Sequence, residues 1–251
     1  MGSKAVIGHM PLIILFLWLV LQSVGTTAQT RQETIRTSAS QVQLGEAASE
    51  EIQNLFPEAI EAFIFKDGAK EALTINYNLL FDHFYFTDRS GRTIWISTRD
   101  VDSVHIGDYL FLAFGDEGFF RAVPGRPELL VKYKLDISTE TLTRGAYGTT
   151  DETASIEVLR AMTTPAAAHG LIHTAYLENP GGQELRITLK REEKFYVLGE
   201  EGVQDASNRR ALQRAFPGHR REIRRFARNN DIDFGDPDDL ASILEYISTL
   251  E

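Results

Sequence analysis

The chain alternates between polar stretches and short apolar runs, and the period of those runs changes along its length. Gln29 to Ser49 is rich in Gln, Thr, Ser and Ala without a sustained apolar period, which predicts a flexible leader. Ile52, Leu55 and Phe56 then recur at helical spacing, predicting a short helix that ends before Pro57. From Glu61 the period becomes two. Phe63 and Phe65 alternate with Ile64 and Lys66, Asp67-Gly68 offers a left-handed turn, and Leu73 and Ile75 resume the pattern up to Tyr77. A hairpin is expected.

Further strands are expected at regular intervals. Phe84-Tyr85-Phe86, Thr93 to Ser97, Val101 to Ile106, Tyr109 to Phe114, Phe119 to Val123 and Leu129 to Leu135 are separated by turn residues such as Gly107-Asp108, Gly115-Asp116 and Pro124-Gly125. Connections this short favour pairing of consecutive strands. After Asp136 the chain is polar and Thr-rich through Thr153 and reads as a long irregular stretch, either a loop or a segment packed across a sheet edge. Leu185, Ile187 and Leu189 alternate with Arg186, Thr188 and Lys190, and the alternation returns over Lys194 to Leu198. This predicts a second hairpin turning at Glu192-Glu193.

The tail has a helical period. Ser207 is placed to cap a helix that runs to Ala215 and is broken by Phe216-Pro217-Gly218, and Arg220 to Asn229 carries Ile223 and Phe226. Asp236 before Pro237 is an N-cap, and the helix it opens should bury Leu240, Ile243, Leu244 and Ile247. The predicted class is α+β: an antiparallel β-meander forming a small barrel or sandwich, followed by a β-hairpin and a C-terminal helical tail. The expected division is a signal peptide over 1–28, a polar leader with a short helix over 29–58, a β-rich domain over 59–206, and a helical tail over 207–251 packed on it.

The signal peptide is read from the N-terminus. Lys4 and His9 precede an apolar run from Pro11 to Val20, and Thr26 and Ala28 place small residues three and one positions before Gln29. The run is shorter than the ~20 apolar residues of a spanning helix. Cleavage after Ala28 is expected, with no transmembrane span left afterwards; an uncleaved anchor is the alternative. The expected location is periplasmic, outer-surface or secreted.

Composition narrows the chemistry. Among 251 residues there is no cysteine, which excludes disulfide scaffolds, cysteine zinc sites and thiol nucleophiles. The net charge of -10, from 26 basic and 36 acidic residues, makes nucleic acid an unexpected partner. No GxSxG elbow, Walker A loop or GxGxxG turn occurs, and no cofactor is expected.

The order of these features resembles exported proteins of the Bacteroidota type. The resemblance rests on the Thr27-Ala28-Gln29 junction, the Asp67-Gly68 hairpin followed by Ile75-Asn76-Tyr77-Asn78-Leu79-Leu80, and the Lys190-Arg191 and Phe195-Tyr196 strands. The closing tail adds Asn230, Ile232-Asp233-Phe234 and Asp239-Leu240. It implies a location and no activity.

Four groups of residues are candidates for chemistry. His169 and His173 stand four apart, as two metal ligands on one helical face would, but Gly170 takes the place of a zincin's glutamate and no acidic third ligand is identifiable. Asp231, Asp233, Asp236, Asp238 and Asp239 suggest a calcium loop, yet Gly235, Asp236 and Ser242 fall where an EF-hand needs an oxygen ligand, glycine and glutamate. Helix capping explains these aspartates better. Asp82, Asp88, Asp100, Asp102 and Asp108 could supply two carboxylates for hydrolysis, although turn chemistry already accounts for Asp88 and Asp108.

The fourth group is the strongest anomaly. Residues 207 to 230 hold Arg209, Arg210, Arg214, Arg220, Arg221, Arg224, Arg225 and Arg228 against Glu222 alone, eight less one, or +7. Arg220, Arg221, Arg224, Arg225 and Arg228 form a candidate face for anionic lipid, lipopolysaccharide, acidic polysaccharide or extracellular DNA. Residues 231 to 251 hold seven acids and no base, so pairing between the two segments is the favoured expectation. The chain is expected to be an exported, non-enzymatic binding or envelope-associated protein. An extracytoplasmic glycan or ester hydrolase using strand-end carboxylates is the alternative.

Overall fold

The computed structural model describes residues 31–39, 41–144, 150–153, 159–166, 170–178, 184–199 and 202–250; the expected signal peptide lies outside them. The chain begins with strands β1 (Gln32–Thr37) and β2 (Gln41–Gln43) and the short helices α1 (Leu44–Ala47) and α2 (Glu50–Gln53). Two short meanders follow, β3 (Ile60–Lys66), β4 (Ala69–Asn78), β5 (His83–Thr87) and β6 (Thr93–Ile96), then β7 (Ser103–Ile106), β8 (Tyr109–Ala113) and β9 (Phe119–Val123); they join through β7 on β3, not through the expected pairing of the consecutive strands β6 and β7. Next come β10 (Arg126–Arg144), β11 (Thr150–Thr153), β12 (Leu159–Ala166), β13 (Gly170–Glu178), β14 (Glu184–Gly199) and β15 (Gly202–Asp205). Helices α3 (Arg209–Ala215), α4 (Arg220–Asn229) and α5 (Pro237–Ser248) form the tail.

Most strands belong to one large antiparallel sheet in the order β1-β14-β10-β9-β8-β7-β3-β4-β5-β6, with β11 and β15 attached to β10 and β14. Among the described residues no ladder joins β1 to β6, so the sheet is an open path, and β12, β13 and β2 form a second, smaller sheet. The predicted hairpin is present as β3 and β4, with Lys66 opposite Ala69. Asp67 and Gly68 adopt φ of 49° and 78°, the two left-handed residues that match the twist of a tight hairpin.

Three further expectations are corrected. The leader is not free chain: Gln32 to Thr37 pairs along β14, and Gln41 to Gln43 pairs with β13. The Thr-rich stretch after Asp136 is not a loop through Arg144 but the second half of β10, because β-branched threonines suit an extended backbone as well as they suit a polar loop. The second hairpin is one continuous strand, β14, with Glu192 opposite Lys134 and Glu193 opposite Tyr133. The run Lys190 to Lys194 contains no Gly, Pro, Asn or Asp to turn the chain, and the long partner β10 extends it instead.

β10 and β14 form the spine that organises the interior. Their odd-numbered residues share a face, since side chains alternate along a strand. Near one end of that face Leu129, Val131, Phe195 and Val197 pack under the tail, against Leu212, Ile223, Leu240, Ile243, Leu244 and Ile247. Toward the other end Leu185, Ile187 and Leu189 pack with Leu44, Ile52 and Leu177. Between these covers, Tyr133 and Leu135 meet the meanders' core, where Tyr77, Phe84, Phe111 and Phe119 are buried. The two covers leave a gap, and the gap is a cleft of about 1110 Å³.

The tail follows its sequence closely. Asn208, one residue beyond the expected Ser207, caps α3 by accepting from the Ala211 N–H. Ser207 instead donates its hydroxyl to Asp205 at 2.6 Å. Asp236 caps α5, accepting from the Asp238 and Asp239 N–H groups, and Leu240, Ile243, Leu244 and Ile247 are buried as expected.

Candidate anion-binding face

Helix α4 exists because Ile223 and Ala227, one turn apart, are buried against the sheet while the rest of its surface is left to water. At about 100° per residue, Arg220, Arg224, Arg228, Arg221 and Arg225 fall within one arc of about 140° on the remaining surface. All five are exposed, and so are Arg209, Arg210 and Arg214 of α3.

The expected pairing with the acidic segment does not occur. Among the described residues none of these eight arginines makes an ion pair. The acids are spent elsewhere. Asp238 lies 2.8 Å from Arg126 at the start of β10, Asp236 caps α5, Asp239 accepts from the Asp233 N–H at 2.8 Å, and Asp233 accepts from the Gly235 N–H at 2.8 Å. Helices α4 and α5 meet through carbon instead: Phe226 and Tyr246 stack at 4.6 Å. Arg225 donates to the Tyr246 hydroxyl at 2.9 Å, and this bond raises its pKa. The physical reason is local: an N-cap satisfies backbone donors that have no other partner, so the aspartates are claimed before a long arginine can reach them.

The arrangement is unfavourable for the helices themselves. Arg220–Arg224, Arg221–Arg225 and Arg224–Arg228 are like-charge pairs one turn apart, each costing roughly 0.2–0.5 kcal/mol. Arg220 and Arg221 also occupy the first turn of α4, where the positive end of the dipole disfavours cations. The same charge density attracts an external anion.

The other candidates are dispersed or already engaged. His169 lies outside the described residues, while His173 belongs to strand β13, opposite Thr163. The helical spacing expected of a pair in HGLIH is therefore not formed. No cluster of three metal-ligating side chains occurs among the described residues. Asp82 and Asp88 fall at opposite ends of β5, and Asp102 and Asp108 at opposite ends of β7. Asp88 bonds Ser90 and Arg92, which hold its carboxyl far below the usual range, and Asp102 accepts from the Asp67 N–H at 2.7 Å. Asp100 faces Lys66 at 3.8 Å.

Asp82, itself partly exposed, joins two buried side chains. It lies 2.6 Å from Lys132, whose side chain is 7% exposed, and accepts from the Tyr77 hydroxyl. Lys132 also donates to the Glu117 carbonyl. Burial, and then the Asp82 charge, raise the Tyr77 pKa well above its ordinary value, so its hydroxyl is a donor and not a base.

No helix among the described residues is long and apolar enough to cross a membrane. No model of a known protein family, no characterised protein and no solved structure matches the chain.

Proposed function

We propose that this is an exported, non-enzymatic protein that associates with the anionic surface of the cell envelope through the arginine face of α4. The observation that carries the reading is that five exposed arginines share one side of a helix with no acid paired to them. A surface bearing headgroup phosphates or acidic sugars supplies the missing charge. Each basic residue near such a surface contributes about 1 kcal/mol, and salt weakens the attraction.

The remainder of the chain favours one orientation. The whole chain's -10, less this segment's +7, leaves -17 for the other residues. That charge turns away from an anionic surface and presents the arginine face of α4 to it. Export brings the face to the envelope, and the N-terminal pattern supports export.

The test uses the chain from Gln29 onward, with heparin and with vesicles of anionic or zwitterionic lipid as probes. Retention is expected on heparin and on anionic vesicles, falling with salt. The variant Arg221→Glu, Arg224→Glu, Arg225→Glu should lose it while melting within about 0.5 kcal/mol of the wild type, as surface changes do. Binding that survives the triple reversal, or no binding by the wild type at low salt, would refute the reading.

A further inference from the structure

The cleft over the middle of the β10–β14 spine contains a charged group that the fold does not satisfy. Arg121 of β9 projects from the same sheet face as Val131, its register partner, and as Phe111 on the neighbouring strand. Its guanidinium carbon lies 5.4 Å from the centre of the Tyr109 ring and 5.5 Å from that of Tyr133. The Arg121 Nε is buried and has no hydrogen-bond partner. A buried donor of this kind costs free energy unless something accepts from it.

The surroundings define what that acceptor is. Arg191, also at the cleft, is already used: it donates to the Ile52 carbonyl at 3.2 Å and to those of Glu51 and Asn54, holding α2 to the spine. Burial, and then neighbouring Arg31, lower its pKa to about 10, which leaves it charged at neutral pH. Arg121 has no such employment. Its Nε is unpaired, and Nε with the neighbouring Nη is the side of a guanidinium that takes a carboxylate through two parallel hydrogen bonds.

Both tyrosine rings lie close to the guanidinium, and a planar carboxylate matches its two parallel N–H groups better than a tetrahedral oxyanion does. Leu55, Leu79, Val123 and Phe195 give the cleft apolar wall for the body of a ligand. The cleft's charged lining is mainly basic, with Arg31, Lys134, Lys190 and Lys194 outnumbering Glu192, Glu193 and Asp236, which favours an anion.

We infer that the cleft binds an organic carboxylate with an apolar body, its carboxylate held by Arg121 beside Tyr109 and Tyr133. The site is separate from the arginine face of α4, so either can fail alone.

The probes are phenylacetate and hexanoate, with phenylacetamide as the neutral isostere and inorganic phosphate as the tetrahedral anion, titrated calorimetrically into the chain from Gln29. At least one monocarboxylate should bind. Phenylacetamide and phosphate should bind roughly tenfold or more weakly, the loss expected when charge-assisted bonds are removed. Arg121→Met should lose carboxylate binding by a similar factor and should melt no lower than the wild type without ligand, because it removes an unsatisfied group. Arg121→Lys keeps the charge without the fork and should also bind more weakly. The inference is overturned if neither monocarboxylate binds, if the amide or phosphate binds as tightly, or if Arg121→Lys binds like the wild type.

Discussion

Lys132 and the arginines of α4 are cations in two regions that treat charge in opposite ways. Lys132 is withdrawn from water and meets Asp82, the Glu117 carbonyl and the face of Phe120, with its Nζ 4.6 Å from that ring's centre. The arginines keep their solvent and make no ion pair among the described residues, although Glu222 shares their helix. A buried cation must be matched, since desolvation costs several kcal/mol per ion. An exposed one need not be, because water screens it. Pairing in the first region is a condition of folding. Its absence in the second leaves charge available to a partner.

The comparison can be broken most strongly at high pH. Tyr77 completes the Asp82 network with a pKa raised well above 10, chiefly by burial. A raised folded value means that its contribution is whole below the unfolded pKa of about 10 and is lost as pH rises through the folded value. The protein should unfold in alkali, followed by circular dichroism, and Tyr77→Phe should move the midpoint upward. Identical midpoints would separate Tyr77 from the transition, whereas no change on the arginine face should affect it.

Next in size is Asp82→Asn, which preserves shape at a residue with φ of 59° and removes the charge opposite Lys132. Stranding a buried cation costs about 3 kcal/mol or more, and adding Lys132→Met should recover part of that loss. Denaturant unfolding that matches the wild type would show that the network does not hold this end of the first meander. Gly118 supports the assignment: its φ is 95°, and a Cβ there would lie 2.5 Å from both the Asp82 Oδ2 and the Lys132 Nζ.

A smaller effect belongs to the first hairpin. Gly68→Val places a β-branched residue at φ of 78° and should cost about 1 kcal/mol or more. Glu61→Ala, at an exposed strand position, should stay within about 0.5 kcal/mol of the wild type. Equal melting temperatures would contradict the turn assignment.

The Asp67-Gly68 turn, the Asp236 cap and the four buried residues of α5 were legible in the sequence because each depends on neighbours within a few positions. The reach of β10 and the continuity of β14 were not. Threonine and charged residues suit strand and loop alike, and only the partner strand separates the two. The histidine pair shows the same limit, since spacing alone could not distinguish a helix from the strand that His173 occupies.

The candidate sites divide along the same line. The arginines were visible as a charge run, but their lack of partners was not, because the segment that follows carries equal and opposite charge. The Arg121 site was missed altogether. Tyr109, Arg121, Tyr133 and Glu193 come from four strands, and the nearest signal was the charged run Lys190 to Lys194 within a strand pattern, which read as a turn.

The sequence by itself determined the α+β class, the first hairpin, the caps and apolar face of α5, and the excess of positive charge in residues 207 to 230. These follow from backbone preference, side-chain period and ionisation, which act within a few residues. Tertiary structure alone decided that β10 and β14 run as one spine, that Asp238 pairs with Arg126 and not with an arginine of α4, and that the Arg121 Nε at the cleft is left unpaired. Those outcomes depend on which distant groups compete for the same partner, and that competition is settled only when the strands and helices pack.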